Sequence, residues 1–123
     1  MLASVVRAAF DRPGGESCGR MAERPIDLAH LSRQTMGDRE LEREVLKLFV
    51  QHALSVRDTI AAASPRDRLP SAHALKGSAK GVGATRIADC LVELERKPDD
   101  AAIVGRLAGL IDEVRDFVAA INR

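Results

Sequence analysis

Apolar residues recur every three or four positions through most of this chain, and prolines and glycines divide the recurrence into separate segments. This spacing puts the apolar side chains on one side of an α-helix, which turns about 100° per residue. No stretch shows the apolar–polar alternation of a half-buried strand. We therefore predict an all-α fold whose four long helices cover residues 39–62, 68–82, 84–97 and 101–121.

The connections between these four segments are only a few residues long, which favours an antiparallel up-down-up-down four-helix bundle. A short extra N-terminal helix, Ile26–Thr35, is expected to precede the bundle and to end at Gly37. Aspartates suited to N-capping stand before the long helices, at Asp38, Asp67 and either Asp99 or Asp100. The chain has no Trp or Tyr and only three Phe, so its core must be aliphatic.

Segment 39–62 has a wide apolar surface. One stripe comprises Leu41, Val45, Leu48, Phe49, Val56 and Ile60, and a flanking stripe comprises Leu46, Val50 and Leu54. A surface of this width can contact two neighbouring helices, or it can leave a part exposed for a partner.

The first residues of the chain differ in composition from the rest. Residues 11–20, DRPGGESCGR, cluster Pro, Gly and Ser as linkers do. We predict a flexible extension over residues 1–24 and a bundle domain over residues 25–123. Two alternatives remain for the extension: a short packed helix over residues 2–10, or a true start at Met21.

Charge and cysteine content exclude several classes of protein. The net charge is +1, with basic and acidic residues interspersed, so no basic stripe indicates nucleic-acid binding. The apolar start of the chain is too short to span a bilayer. Cys18 and Cys90 form no spaced motif, which argues against a disulfide framework or a zinc site. We expect a monomeric cytoplasmic protein that binds neither nucleic acid nor membrane and holds no metal.

The stretch HALKGSAKGVGA, residues 73–84, is the most informative part of the sequence. On a helical wheel His73, Lys76, Gly77 and Lys80 share the side turned away from the bundle. The side turned towards the bundle carries small or apolar residues: Ala72, Leu75, Ser78, Ala79 and Val82. A histidine is thus expected in solvent, beside two lysines that lie one turn apart.

Gly77 needs a reason, because glycine inside a helix costs about 0.5–1 kcal/mol relative to alanine. One reason is access to the imidazole for a bulky group, and the lysines indicate that this group is anionic, such as a phosphoryl group. The alternative is an ordinary surface histidine on a basic patch. A phosphate-binding loop is excluded, since Lys76 precedes the glycines and no strand leads into them.

AHALKGSAKGVGA, residues 72–84, resembles the signature of histidine-containing phosphotransfer (HPt) domains of bacterial phosphorelays. The matching positions are His73, Leu75, Lys76, Gly77, Ser78, Ala79, Gly83 and Ala84. The resemblance extends over residues 26–121, and FVQHALSVRDTI matches the family's long helix before the site.

The resemblance implies that His73 Nε2 accepts a phosphoryl group from an aspartyl phosphate of a receiver domain and passes it to another receiver. Lys76, with support from Lys80, would neutralise the phosphoryl charge, and Gly77 would keep the approach open. Such a chain is a covalent phosphocarrier without an ATP site rather than an enzyme, and it has no cofactor of its own. The partner receivers would supply Mg²⁺, and a hybrid histidine kinase is a further possible partner.

HPt domains often place a glutamine on the following helix beside the histidine, and counting along the matched helices puts Glu95 there. Glu95 can accept a hydrogen bond from the ring Nδ1–H, although its charge would also repel a phosphoryl group. A solvated helix residue is the alternative. Leu69 shares the His73 side of the helix and is expected at the docking surface, together with apolar residues of segment 39–62.

The remaining histidines and Cys90 are expected to be structural. His52 falls at the edge of an apolar stripe and should be partly buried, or else lie near His73 at the docking surface. His30 is expected at the surface and Cys90 in the core. Two other functions stay open: an HPt-like module that binds and regulates a receiver domain or kinase without carrying phosphate, and an unrelated helical scaffold or metal protein.

Overall fold

A computed structural model describes residues 24–122 of the 123-residue chain. These residues form five helices and no strand: α1 (Leu28–Gln34), α2 (Arg39–Ala62), α3 (Arg68–Val82), α4 (Thr85–Arg96) and α5 (Ala101–Ile121). Each helix begins and ends within two residues of its expected position. The flexible extension, the helix over residues 2–10 and Cys18 lie outside the described residues, apart from Arg24 at the end of the extension.

The expected aspartates stand at the helix starts, and two of three cap through their side chains. Asp38 and Asp100 accept hydrogen bonds from backbone N–H groups in the first turns of α2 and α5, at 3.0 and 2.9 Å. Asp67 precedes α3 but makes no such bond, because its ψ of −9° is already helical rather than extended. Pro70 lies in the first turn of α3, where the missing N–H has no helical partner to lose.

Helices α2 to α5 pack as a closed four-helix bundle. α3 contacts α2 and α4, and α5 contacts α4 and α2, so each long helix has two neighbours in the ring. α1 packs across α3 and the start of α2. No helix in residues 24–122 combines the length and apolar character needed to cross a membrane.

The core is almost entirely aliphatic, as the composition requires. Phe49 is its aromatic residue, and Phe117 lies half-buried at its edge. The largest side chains that are fully buried are Ile26, Leu31, Leu46, Ile60, Leu75, Ile87, Leu91, Leu94, Leu107 and Ile111. Cys90 is buried with them, its Sγ 3.7 Å from the carbonyl oxygen of Ile103. All four long helices contribute to this core, which fixes the rotation of each about its own axis.

That rotation decides which part of the wide apolar surface of α2 is buried. Leu48 is 59% exposed and Leu41 46% exposed, although both belong to the same apolar stripe of the sequence as Phe49. The row that faces the core is instead Leu46, Phe49, Ala53, Val56 and Ile60, with Val45, Val50 and Leu54 half-buried beside it. The apolar surface of α2 is wider than its neighbours cover, so part of it meets solvent.

Two histidine predictions were wrong. His52 is exposed rather than partly buried, because it follows Leu48 on the uncovered side of α2. His30 is half-buried rather than at the surface, because α1 packs against α3. Its Nε2 atom is buried and has no hydrogen-bond partner among the described residues.

Two long-range contacts fix the ends of α3. At its start, the Arg68 guanidinium donates hydrogen bonds to the carbonyl oxygens of Ile60 (2.9 Å) and Pro98 (2.6 Å). At its end, Gly83 adopts φ +85°, and its carbonyl oxygen accepts a hydrogen bond from Asp27 N–H at 2.9 Å. α3 is therefore tied to the end of α2, to the α4–α5 turn and to the segment that leads into α1.

Candidate functional site

α3 presents His73 to solvent because its other side is anchored in the core. Ala72, Leu75 and Ala79 are fully buried, and they fix which way the helix faces. The His73 side chain is 76% exposed, as the helical wheel predicts. His73 lies in the middle of α3, away from both fixed ends, so the helix holds its backbone firmly while the ring stays accessible.

Glu95 on α4 contacts both His73 and Lys76. Its Oε2 lies 3.1 Å from His73 Nδ1, and its Oε1 accepts a hydrogen bond from Lys76 Nζ at 2.6 Å. An ionised carboxylate can only accept hydrogen bonds, so a neutral ring in this contact carries its proton on Nδ1. Nε2 then has a free lone pair and no contact with Glu95.

The carboxylate of Glu95 is kept ionised by its surroundings. The hydrogen bond from Lys76 holds the pKa of Glu95 below its usual range; partial burial opposes this effect, and the contact with His73 adds to it. Lys76 itself is only 21% exposed, so it does not extend into solvent as the wheel alone indicates. The reason is Glu95, which draws the ammonium group against α4.

Gly77 lies one turn after His73 and leaves open space beside it. A Cβ atom placed on Gly77 would have no heavy atom within 4 Å outside its own helix backbone. The same is true of Gly81, one turn further along. Packing within the described chain therefore does not require glycine at either position.

Lys80 lies further along α3 and interacts with a different residue. Burial and the nearby Glu93 raise the pKa of Asp89 on α4, and the charge of Lys80 opposes that rise. Lys80 also lines a small cavity with His30 and Gly83. The structure thus brings His73, Lys76 and Glu95 together and puts Lys80 closer to Asp89.

The residues that face each other across α3 and α4 show that the two helices run antiparallel. His73, in the first half of α3, meets Glu95 near the end of α4, whereas Lys80 acts on Asp89 near the start of α4. This arrangement explains how residues 22 positions apart in sequence form one site.

Apolar surface lies on the α2 side of the site. A shallow groove between α2 and α3 is lined by Val45, Leu48, Phe49, His52, Ser78 and Val82. Leu69, one turn before His73, is half-buried rather than fully exposed. The sequence predicted apolar docking residues on α2 but did not single out Leu48, because its exposure depends on the rotation of α2.

A larger cavity lies elsewhere, between the end of α4 and the start of α5. It has a volume of about 750 Å³, and Glu93 and Arg106 form an ion pair of 2.7 Å in its wall. His73 is not among its lining residues. Within residues 24–122, no three His, Cys, Asp or Glu side chains come close enough together to hold a metal ion.

The comparisons with known proteins assign the family. The family model of the Hpt domain matches residues 44–117, which is more than half of the chain and includes His73, Lys76, Gly77 and Glu95. Neither the curated proteins nor the solved structures that were compared match the chain. Hpt domains are helical bundles that carry phosphoryl groups in phosphorelays, where they interact with receiver domains and kinases. The chain therefore belongs to the Hpt domain family, and its general role is phosphotransfer in a phosphorelay.

Proposed function

We propose that His73 accepts a phosphoryl group from an aspartyl phosphate of one receiver domain and passes it to an aspartate of another. The observation that carries this proposal is the contact between His73 Nδ1 and Glu95 at 3.1 Å, together with the 76% exposure of the His73 side chain. With Nδ1 engaged, Nε2 is the ring nitrogen available to an incoming phosphorus atom.

In the forward step the Nε2 lone pair attacks the phosphorus of the aspartyl phosphate. The new N–P bond forms as the P–O bond breaks, and the electron pair of the broken bond returns to the aspartate carboxylate of the receiver. Neutral imidazole is a competent nucleophile near pH 7. The receiver domain would supply Mg²⁺ and most of the groups that stabilise the transferring phosphoryl, so this chain acts as a carrier rather than as a kinase.

Lys76 and Gly77 support the transfer in different ways. The ammonium group of Lys76 lies on the His73 side of α3 and can offset the charge of the arriving phosphoryl, although it must share this role with Glu95. Gly77 leaves the space beside the ring open, so that a receiver domain can approach closely. Lys80, one turn further on, would contribute a weaker, longer-range attraction, reduced by Asp89 and by salt.

Docking would use the apolar surface on the α2 side of α3, together with Leu69. Leu48 is 59% exposed and borders the α2–α3 groove, and Leu69 lies one turn before His73. Exposed apolar side chains beside a reactive group favour a protein partner, because a small phosphate donor would not need them. We expect a monomer in the cytoplasm that binds a receiver domain here, with a hybrid histidine kinase as one source of that domain.

The test is transfer of label from a panel of phosphorylated receiver domains to the wild-type chain and to His73→Gln. We expect label on the wild type only, in a product that is labile in acid and stable in base, as a phosphoramidate is. Binding of a receiver without any transfer would replace the proposal with the regulatory-binding alternative. If no receiver binds or donates, the proposed exchange between receivers is wrong.

A further inference from the structure

The group that contacts His73 Nδ1 is a carboxylate, and this fact has chemical consequences beyond the choice of tautomer. Any carbonyl oxygen at that position could accept the Nδ1–H bond of a neutral ring. A carboxylate also stabilises a positive charge on the ring, which an amide does far less. The distinction matters only when the ring is cationic, and the ring becomes cationic when Nε2 gains a phosphoryl group while Nδ1 keeps its proton.

The charged groups around the ring come from a small part of the bundle. α4 contributes Glu95, and α3 itself contributes Lys76 and, a turn further on, Lys80. On α2 the titratable side chain next to α3 is His52, in the groove beside Ser78 rather than at the ring. On α1, His30 lies near Lys80. Glu95 is therefore the negative charge in contact with the His73 ring.

We propose that Glu95 holds the Nδ1 proton on the His73 ring after phosphorylation, and so keeps phosphorylated His73 a phosphoryl donor at neutral and mildly alkaline pH. This inference rests on the proposed function of His73 and adds a role in the second half of the relay. Glu95 touches the ring but not the phosphoryl group, so it acts as a positioning residue.

The balance of the donating step explains why that proton matters. When the receiver carboxylate attacks phosphorus, a P–O bond forms, the Nε2–P bond breaks, and its electron pair returns to Nε2. A ring that carries Nδ1–H leaves as neutral imidazole, whereas a ring without it must leave as imidazolate, a far more basic and poorer leaving group. The proton stays on Nδ1 throughout, and no other group has to supply one.

Lys76 prevents the same carboxylate from repelling the phosphoryl group strongly. Its ammonium lies 2.6 Å from Glu95 Oε1 and compensates the carboxylate charge on the side away from the ring. Glu95 Oε2 remains directed at Nδ1. One oxygen of the carboxylate thus accepts the Nδ1–H hydrogen bond, and the other accepts the hydrogen bond from the lysine.

The test measures phosphoryl loss from the phosphorylated chain as a function of pH. The chain is loaded with potassium phosphoramidate, which needs no partner protein, and the loss of phosphohistidine is followed from about pH 6 to about pH 9, to water and to a receiver domain. Glu95→Gln keeps the size of the side chain and a carbonyl acceptor for Nδ1–H but removes the charge. Glu93→Gln is the matched control on the same helix, since Glu93 pairs with Arg106 on α5.

We expect the wild type and Glu93→Gln to lose phosphate at a rate that changes little up to about pH 8. The rate of phosphate loss from Glu95→Gln should fall about tenfold per pH unit above about pH 7, because the step requires one ring proton. Lys76→Met changes the rate itself, because Lys76 offsets the phosphoryl charge, but it retains the carboxylate, so its rate should be as insensitive to pH up to about pH 8 as that of the wild type.

Coinciding profiles for the wild type and Glu95→Gln would overturn the inference, and so would a Lys76→Met profile that falls like that of Glu95→Gln. Neither result would affect the proposed function, because the wild type would still take up and donate phosphate through His73. Failure of the wild type to accept phosphate from phosphoramidate and from every receiver would instead reject the proposed function itself. Circular dichroism of each variant confirms that the helices are intact.

Discussion

Because the space beside His73 is open, the substitution Gly77→Ala should have opposite effects on the stability of the fold and on the rate of phosphoryl transfer. A Cβ atom there meets nothing within 4 Å, so the methyl group costs no packing energy. Replacing an exposed helical glycine with alanine stabilises the fold by about 0.5–1 kcal/mol. For a folded region of about 100 residues, this corresponds to a rise in Tm of about 2–6 °C.

Transfer should change in the other direction. The methyl group fills the space one turn from the imidazole, where the receiver domain must approach to bring phosphorus within bonding distance of Nε2. Small displacements of reacting groups raise the activation free energy. We therefore expect Gly77→Ala to slow transfer from a phosphorylated receiver by about tenfold, or about 1.4 kcal/mol in the barrier. Thermal unfolding and rapid-quench transfer on the same preparations measure both effects.

Gly81→Ala is the matched control, because a Cβ atom is equally unobstructed there and the position is one turn further from His73. It should also gain stability, by less than Gly77→Ala because it lies near the end of α3, while transfer stays within about twofold of wild type. Equal transfer rates for the two variants would refute the reasoning, since Gly77 would then have no special part in access to His73.

Three further predictions concern the fold, the ion pair and the docking surface. Gly83→Ala should lower the free energy of unfolding in urea by about 2 kcal/mol or more, because φ is +85° and the new Cβ would lie 2.9 Å from the Asp27 carbonyl oxygen; an unchanged midpoint would contradict this. Lys76→Met should lower the free energy of unfolding at pH 7. Because the pKa of Glu95 is lowered in the folded state, this difference from wild type should shrink as the pH falls below about 4 and through that lowered pKa. Denaturation of both proteins over a series of pH values measures the difference. Leu48→Asp should alter stability by less than about 0.5 kcal/mol, since Leu48 is 59% exposed, yet weaken binding of a receiver domain in calorimetry; unchanged affinity would exclude Leu48 from the docking surface.

The local features of this fold were predictable because local residues determine them. Pro98 and Gly83 mark where helices stop, and Asp38 and Asp100 mark where they begin. The exposure of His73 followed from the buried residues on the other side of its own helix. Such predictions need only the geometry of one helix and the preferences of its terminal residues.

Features that depend on how one helix sits against another were not accessible in this way. The exposure of Leu48 depends on the rotation of α2, which a helix with two adjacent apolar stripes does not define alone. Arg68 carries no motif, although it bonds two carbonyl oxygens from distant turns. Glu95 was reached by comparison with a family pattern, and the two-sided contact with Lys76 emerged only from the packing of α3 on α4.

The exposure of His73 also sets how signals can pass through this chain. The ring stands on one face of a single helix and lines none of the cavities described above, so one partner covers it at a time. If His73 exchanges phosphate with receiver domains as proposed, a donor and an acceptor must take turns at the ring, and two acceptors present together must compete for the same few side chains. The share of phosphate that each acceptor takes would then follow its abundance and its affinity for this surface, so that the outputs of the proposed relay could change without any change in this chain.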